Sequence, residues 1–233
     1  MSPMPVSPPK NLPHAILFDL DGTLLDTLDD LADTANAVLA EQGYPTHPHD
    51  AYRQFIGDGV ATLFRRALPA GEPEAHPHLI DHCAEAFKVR YVDTWNRHTR
   101  PYDGVPALIE TLHARGVAMA VLSNKPDEFT RRCIAHFFDP GAFRVIVGDR
   151  PGHPRKPHPD GALEIAAALG ATPASVWYLG DSSVDMTTAV RAGMVPLGAA
   201  WGFRSVEELL ETGARVILHR PQDLLDLIAT VAA

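Results

Sequence analysis

Cysteine is nearly missing from this chain: of 233 residues only Cys83 and Cys133 carry a thiol, far apart and outside any Cys-x-x-Cys pattern. Neither a disulfide framework nor a zinc knuckle can be built from them, and a reducing, cytoplasmic setting fits best. Long apolar runs are missing too. No uninterrupted stretch is long enough to span a bilayer, and the first dozen residues, broken by Pro3, Pro5, Pro8 and Pro9, have no apolar segment of the kind that heads a secretory leader. Residues 1–12 are expected to be a short flexible tail. Cationic excess is the third absence: 20 Lys and Arg stand against 29 Asp and Glu, a formal net charge of −9. That balance opposes binding to DNA or RNA, which depends on clustered Lys and Arg releasing counterions. A small anionic substrate must then be drawn in by local cations or a metal.

What remains is an ordinary globular composition, 45% hydrophobic, with room for one large domain or a core plus an insert. Ala15-Ile16-Leu17-Phe18 is an apolar run that ends in Asp19-Leu20-Asp21-Gly22-Thr23 and reads as a buried strand. The period then turns helical, with Leu28, Leu31, Ala32, Ala35, Val38 and Leu39 on one stripe and Gly43 as a stop. Val60 to Leu68 and Ile80 to Tyr91 carry two more such stripes, so residues 26–97 read as an all-helical unit. From Pro101 the pattern alternates. Helices are expected over Val105 to Arg115, Glu128 to His136, Asp160 to Leu169 and Val184 to Ala192. Strands are expected over Val117 to Leu122, Phe143 to Val147, Val176 to Leu179, Val195 to Leu197 and Val216 to Leu218. Repeated βα units imply an α/β fold with a parallel sheet and helices on both faces. The helical unit is then an insertion after the first strand, giving a core of residues 13–25 and 98–233.

Three of the expected strand ends carry polar groups: Asp19 and Asp21, Ser123 and Asn124, and Gly180-Asp181-Ser182-Ser183-Val184-Asp185. Open α/β sheets bind ligands at that edge. Lys156 joins them from a proline-rich loop, Pro154 to Pro159, whose prolines restrict the backbone. The set reads as an acidic pocket with one fixed cation. Carboxylates without Cys, and without a His pair at ligand spacing, favour a hard cation, and Mg²⁺ typically takes one or two carboxylates plus phosphate and water. Asp19 and Asp181 are the natural side-chain ligands. The chemistry divides accordingly: Asp19 attacks phosphorus, Asp21 protonates the leaving alkoxide and later activates water, and Lys156 offsets the charge shared by nucleophile and phosphate. Ser123 and the Asn124 backbone amide can hold a phosphoryl oxygen.

Blander readings stand beside these. Asp-x-Asp after a strand can be a helix cap and a turn acid, and Asp181 with Asp185 can be a cap and a solvated acid, although like charges four apart repel unless a cation lies nearby. Lys156 alone reads as a surface lysine. His47-Pro48-His49 and His76-Pro77-His78 suggest transition-metal ligands, but Pro-flanked His-x-His in loops is more often solvent-facing, and these residues are left out of the site. Arg53, Arg65 and Arg66 can pair with a substrate carboxylate or lie on a solvated face. Gly57, in the turn Phe55 to Gly59, permits close backbone approach to a substrate or simply breaks a helix.

Taken together, Asp19-Leu20-Asp21-Gly22-Thr23-Leu24, Ser123-Asn124, Lys156-Pro157 and Gly180-Asp181-x-x-x-Asp185 resemble the four motifs of the haloacid dehalogenase superfamily, in order and over nearly the whole chain. The resemblance implies a Rossmann-like core with a helical cap inserted after the first motif. It implies Asp19 as nucleophile, Asp21 as an acid/base that also binds metal through its backbone carbonyl, Asp181 as a metal ligand and Asp185 as support for the metal shell. Dehalogenase members lack the second aspartate, and the ion pumps need membrane helices, so a phosphatase is implied. The nearest likeness is to the phosphoglycolate phosphatase group, through Phe55-Ile56-Gly57-Asp58-Gly59, Ser123-Asn124-Lys125-Pro126, Lys156-Pro157-His158-Pro159, Tyr178 to Ser182 and Ala200 to Arg204. A Mg²⁺-dependent phosphatase acting on a small phosphorylated metabolite, with 2-phosphoglycolate first, is the leading expectation. A sugar phosphomutase, a broad-specificity phosphatase or a pyrophosphatase stays open, as does a non-turnover phospho-receiver or binding protein. Monomer and homodimer are equally open.

Overall fold

A computed structural model describes residues 9–233. Most of the tail expected over residues 1–12 therefore lies outside the described residues. The chain divides into two compact units, one built from the residues up to Leu25 together with Pro101–Ala233, the other from Asp26–Arg100. Among the described residues no helix is long and apolar enough to cross a membrane.

The first unit is an α/β layer structure. Its strands are β1 (Ala15–Phe18), β4 (Ala118–Pro126), β5 (Val145–Asp149), β6 (Val176–Gly180), β7 (Val195–Ala199) and β8 (Val216–Leu218). They form one sheet in the order β5-β4-β1-β6-β7-β8, and every pairing is parallel. All four residues of β1 are fully buried, as expected of a central strand covered on both faces. Successive side chains of a strand point to opposite faces. Ala15 and Leu17 join Ala120, Tyr178, Ala162, Ile165 and Ala189 in one core cluster. Helices α8 (Asp160–Ala168) and α9 (Ser183–Ala192) supply that cluster's other wall. Ile16 and Phe18 face the other way, where Phe18 meets Phe143 edge-on, with ring centroids 6.4 Å apart. Helix α6 (Val105–Ala114) packs on β4 and against α11 (Gln222–Ala232). Helix α7 (Asp127–Phe137) covers β5, and α10 (Val206–Glu211) covers β7 and β8.

Strand order places the functional edge. From β1 the chain goes outward to β4 and β5, then returns to the other side of β1 for β6, β7 and β8. The direction of winding reverses between β1 and β6, and the crevice beyond the C-terminal ends of those two strands is where such sheets hold ligands.

β6 and β7 run one and two residues past their expected ends, and β4 and β5 depart further. β4 runs on through Ser123, Asn124 and Lys125 to Pro126, with its register on β5 shifting between Leu122 and Pro126. The polar residues expected just past the strand thus lie in an irregular stretch of it. β5 starts at Val145, because a 3₁₀ turn over Pro140–Ala142 holds Phe143 back through Phe143 N–H donating to Pro140 O.

The second unit contains α1 (Leu28–Glu41), α2 (His49–Phe55), α3 (Val60–Ala67), α4 (Glu72–Ala75) and α5 (Leu79–Tyr91). The two-residue strands β2 (Leu25–Asp26) and β3 (Arg100–Pro101) pair with each other where the chain enters and leaves it. Aromatic rings fill its centre: Phe87 stacks on Tyr91 at 5.1 Å and meets Phe64 edge-on at 6.0 Å. The histidines expected to face solvent divide. His76 and His78 are exposed. His47 instead packs its ring against Phe55 and hydrogen-bonds Ala67 O, and His49 lies between Asp29 and Asp33 at 2.8 and 2.9 Å. Hydrogen bonding to Asp29 raises the His49 pKa against the pull of partial burial.

Asp30 closes this unit. Its buried carboxylate accepts from the backbone amides of His98 and Thr99 and from Thr99 Oγ1 at 2.7 to 3.0 Å, across 68 residues of chain. Removing it leaves buried donors without partners. Asp30→Ala is expected to destabilise the unit by about 2–4 kcal/mol, read by urea denaturation, whereas Asp81→Ala on the exposed face of α5 is expected to change stability by less than about 0.5 kcal/mol.

Candidate active site

The polar residues of this site come from four segments that meet at one edge of the sheet: the loop after β1, the end of β4, the loop before α8 and the junction of β6 with α9. Asp19 follows β1 directly, and its backbone amide donates to Leu179 O at 2.9 Å, extending the β1–β6 pairing by one step. The chain then turns back at once: Thr23, Leu24 and Leu25 amides all donate to Leu20 O, with Gly22 at φ 90°. That compact loop sets Asp19, Asp21 and Thr23 on one edge with little freedom to move.

Lys156 is the hub. Its Nζ lies 2.7 Å from Asp19 Oδ1 and 2.7 Å from Asp185 Oδ1, with its side chain 3% exposed. Asp19 Oδ2 takes no hydrogen bond from the described residues. Asn124 holds the Lys156 backbone from both sides, accepting from its N–H at 2.9 Å and donating to its carbonyl at 3.0 Å. The Asn124 side chain was not assigned a role by the sequence; it fixes the lysine loop to β4.

Asp185 is fully buried and fully engaged. Oδ1 accepts from Lys156 and from Tyr178 OH at 3.1 Å, while Oδ2 accepts from Ser182 Oγ at 2.6 Å and Ser182 N–H at 3.2 Å. It is also the N3 residue of a capping box at the start of α9. Asp181 accepts from Thr23 Oγ1 at 3.1 Å and from the Phe203 amide at 2.7 Å. Glycines make room for it. A Cβ on Gly22 or on Gly202 would fall 2.2 Å from Asp181 atoms, and one on Gly180 would fall 2.3 Å from the Asp185 Cβ, so no other residue fits at these points.

A second cation corrects the expectation of one. Lys125 Nζ contacts both carboxylate oxygens of Asp21, at 3.0 and 3.2 Å, and its side chain is 3% exposed. Its backbone is fixed as well, its N–H donating to Ser123 Oγ at 3.2 Å and its carbonyl accepting from Thr130 Oγ1 at 3.1 Å. Asp19, Asp21, Ser123, Asn124, Lys156, Asp181 and Asp185 are thus gathered at one edge. Gly57 is in the helical unit, between α2 and α3, at φ 119°. Of the arginines there, Arg66 bonds Asp58 at 2.5 Å and the carbonyls of Gln54 and Phe55, and Arg53 bonds Asp50 at 3.0 Å.

The electrostatics are unbalanced in favour of a cation. One donor oxygen each from Asp19, Asp181 and Asp185 lies within 4.8 Å of the others. Burial first, and Asp185 next, push the Asp181 pKa up to about 7, and the same two causes hold Asp19 well above the usual carboxylate range against the pull of Lys156. Burial works against the Lys156 ammonium, but Asp185 and Asp19 outweigh it and hold its pKa above the ordinary lysine value. Oxygen-only donors carrying unneutralised charge fit a hard divalent cation. Asp19 and Asp181 are the carboxylates with capacity to spare, since Asp185 already accepts four hydrogen bonds.

The sequence model of the haloacid dehalogenase-like hydrolases matches residues 16–199. A phosphoglycolate phosphatase of Pseudomonas putida is 33% identical over 198 residues, 84% of this chain and 72% of that protein. One from Aquifex aeolicus is 31% identical over 215 residues, covering 92% of this chain and 96% of that protein. The crystal structure of a predicted phosphoglycolate phosphatase from Haemophilus somnus superposes with a TM-score of 0.84 at 26% identity, over 92% of this chain and 97% of that one. The chain belongs to the haloacid dehalogenase-like hydrolase family. It is an enzyme of that hydrolase class, and the curated relatives it resembles over most of its length are phosphatases.

The raised Asp181 pKa has a sign that can be tested. A carboxyl with a higher pKa folded than unfolded gives stability that is fully present below the unfolded value near 3.9 and is lost as pH rises through about 7. In the absence of divalent cations, unfolding free energy is therefore expected to fall between about pH 4 and 7, a fall that Asp181→Asn reduces while the raised Asp19 pKa keeps part of it, read by denaturant titration at each pH. Saturating Mg²⁺ is expected to remove it, and so to raise Tm more at pH 8 than at pH 5.

Proposed function

We propose that this protein is a Mg²⁺-dependent phosphatase that hydrolyses 2-phosphoglycolate through an aspartyl-phosphate on Asp19. The observation that carries the reading is the state of Asp19: Lys156 holds one carboxylate oxygen and leaves the other without a donor, at the end of β1 in the winding-reversal crevice.

The residues divide the work as follows. The free oxygen of Asp19 attacks phosphorus, forming a new P–O bond as the ester P–O bond breaks, and Asp21 delivers a proton to the departing alkoxide oxygen. Asp21 then takes a proton from water as that water attacks phosphorus, and the Asp19–phosphorus bond breaks to release inorganic phosphate. Ser123 Oγ and the Asn124 backbone amide hold phosphoryl oxygens. Lys156 stabilises charge on the phosphoryl group, and Asp185, with Tyr178 and Ser182, keeps that ammonium in place. Asp19 and Asp181, with the backbone carbonyl of Asp21, would hold Mg²⁺, and Asp185 supports that shell through its neighbours. When bound, the cation supplies positive charge that keeps the buried acids ionised and draws the phosphate in. In the helical unit, Gly57 lies in a turn where Arg66 bonds Asp58 and the carbonyls of Gln54 and Phe55. The substrate is supported by the curated relatives named phosphoglycolate phosphatase, and the two cations suit an ester that carries a second negative charge.

Phosphate release from a panel of small phosphomonoesters and pyrophosphate, with Mg²⁺ and with EDTA, tests the reading. Preference for 2-phosphoglycolate that EDTA abolishes is expected, and a flat profile would remove the substrate assignment. Asp19→Asn is expected to fold with turnover abolished, and Asp21→Asn to lower kcat by about 10²- to 10⁴-fold on alkyl esters, while p-nitrophenyl phosphate, whose leaving group needs no proton, loses much less.

A further inference from the structure

Lys125 is a buried cation that the two-step chemistry above does not use. Four acids, Asp19, Asp21, Asp181 and Asp185, share the sheet edge with two lysines, a formal balance of −2 that one divalent cation brings to zero. A phosphoryl group finds Lys156, Ser123 and backbone amides there. A second negative charge on the substrate needs a further cation, and Lys125 is the one placed for it. Its Nζ is about one hydrogen-bond length from both oxygens of Asp21, and Asp21 must touch the leaving oxygen to protonate it. In 2-phosphoglycolate that oxygen is bonded to a methylene carrying the carboxylate, so the carboxylate lies within a few ångströms of any group beside Asp21. The lysine is also held in place beforehand, by the Ser123 hydroxyl at its amide and by Thr130 at its carbonyl. In the helical unit, Arg53 and Arg66 are engaged with their own acids.

We propose that Lys125 determines substrate choice, its ammonium binding the carboxylate on the leaving group of the ester while it holds Asp21 against the leaving oxygen. The inference rests on the phosphatase reading above and deepens it from a named substrate to the residue that recognises it. The recognised feature is a carboxylate carried directly by the ester carbon. Sugar phosphates lack such a group.

Steady-state kinetics with Mg²⁺ on 2-phosphoglycolate and on ethyl phosphate, which has a methyl group where the carboxylate stands, tests this. Lys125→Met is expected to lower the ratio of the two kcat/KM values by about 30-fold or more, as loss of one partner of a buried charge pair does, with the change carried mainly by KM for 2-phosphoglycolate. Lys125→Arg is expected to restore part of the ratio. Lys125→Gln, which keeps a donor toward Asp21, carries the same comparison if thermal melting shows that the Met variant does not fold. Equal losses on both esters would mean that Lys125 acts only through Asp21, and would overturn the proposal. So would a ratio unchanged by Lys125 substitution, or one that falls instead in Arg65→Ala. A wild-type enzyme with no preference for 2-phosphoglycolate would overturn the substrate reading together with the proposal, whereas a preference that survives Lys125→Met overturns only the role of Lys125.

Discussion

One ammonium group organises the site. Lys156 Nζ is bonded to Asp19 and Asp185 at 2.7 Å each, and no arrangement of the surrounding acids would be tolerable without it, because buried carboxylates this close repel one another strongly. The rest of the edge is built to keep that nitrogen where it is. Asn124 clamps the lysine backbone, Tyr178 and Ser182 fix the far carboxylate, and the capping box ties that carboxylate to the start of α9. Asp185 thus does structural and electrostatic work at once, capping the start of a helix and anchoring a cation.

A second constraint is steric. Asp181 is approached by backbone at Gly22 and Gly202, and the Asp185 side chain by backbone at Gly180, closer than any Cβ permits. Close packing of main chain against carboxylate excludes water from one side of Asp181, where burial is the largest cause raising its pKa. Gly22 and Gly202 therefore help to set the electrostatics of Asp181.

Much of this was legible beforehand, and the reasons are local. β1, β6 and β8 are short apolar runs bounded by turn residues, and α1, α3 and α5 carry helical stripes long enough to read. α2, α4 and α10 are two turns or less, too short for a periodic pattern to separate helix from loop, whereas the stripe Leu224, Leu225 and Ile228 of α11 was readable and was missed. Three motifs at strand ends pointed to Asp19 and Asp181 because strand ends are where open sheets act, and a fourth, in a proline-rich loop, pointed to Lys156. Lys125 received no role from its sequence because a lysine three residues past an apolar run looks like a solvated end, whereas β4 continues to Pro126 and the side chain is buried. Tyr178 gave a fainter signal: a hydroxyl inside an otherwise apolar strand needs a partner when buried, but sequence cannot say which. The side-chain role of Asn124 depends on a loop 32 residues away and could not be read from either segment alone.

The order in which the chain supplies these groups shapes how the enzyme comes into being. Asp19 lies near the beginning, yet its partner Lys156 is 137 residues further on, and Thr23 meets Asp181 across 158 residues. Loops of that span close late, because their entropy must be spent before any contact repays it. During synthesis the first strand emerges with its acids bare and waits, paired with nothing, until β4 and then β6 have been made. Competence for phosphate chemistry therefore depends on contacts that span most of the chain.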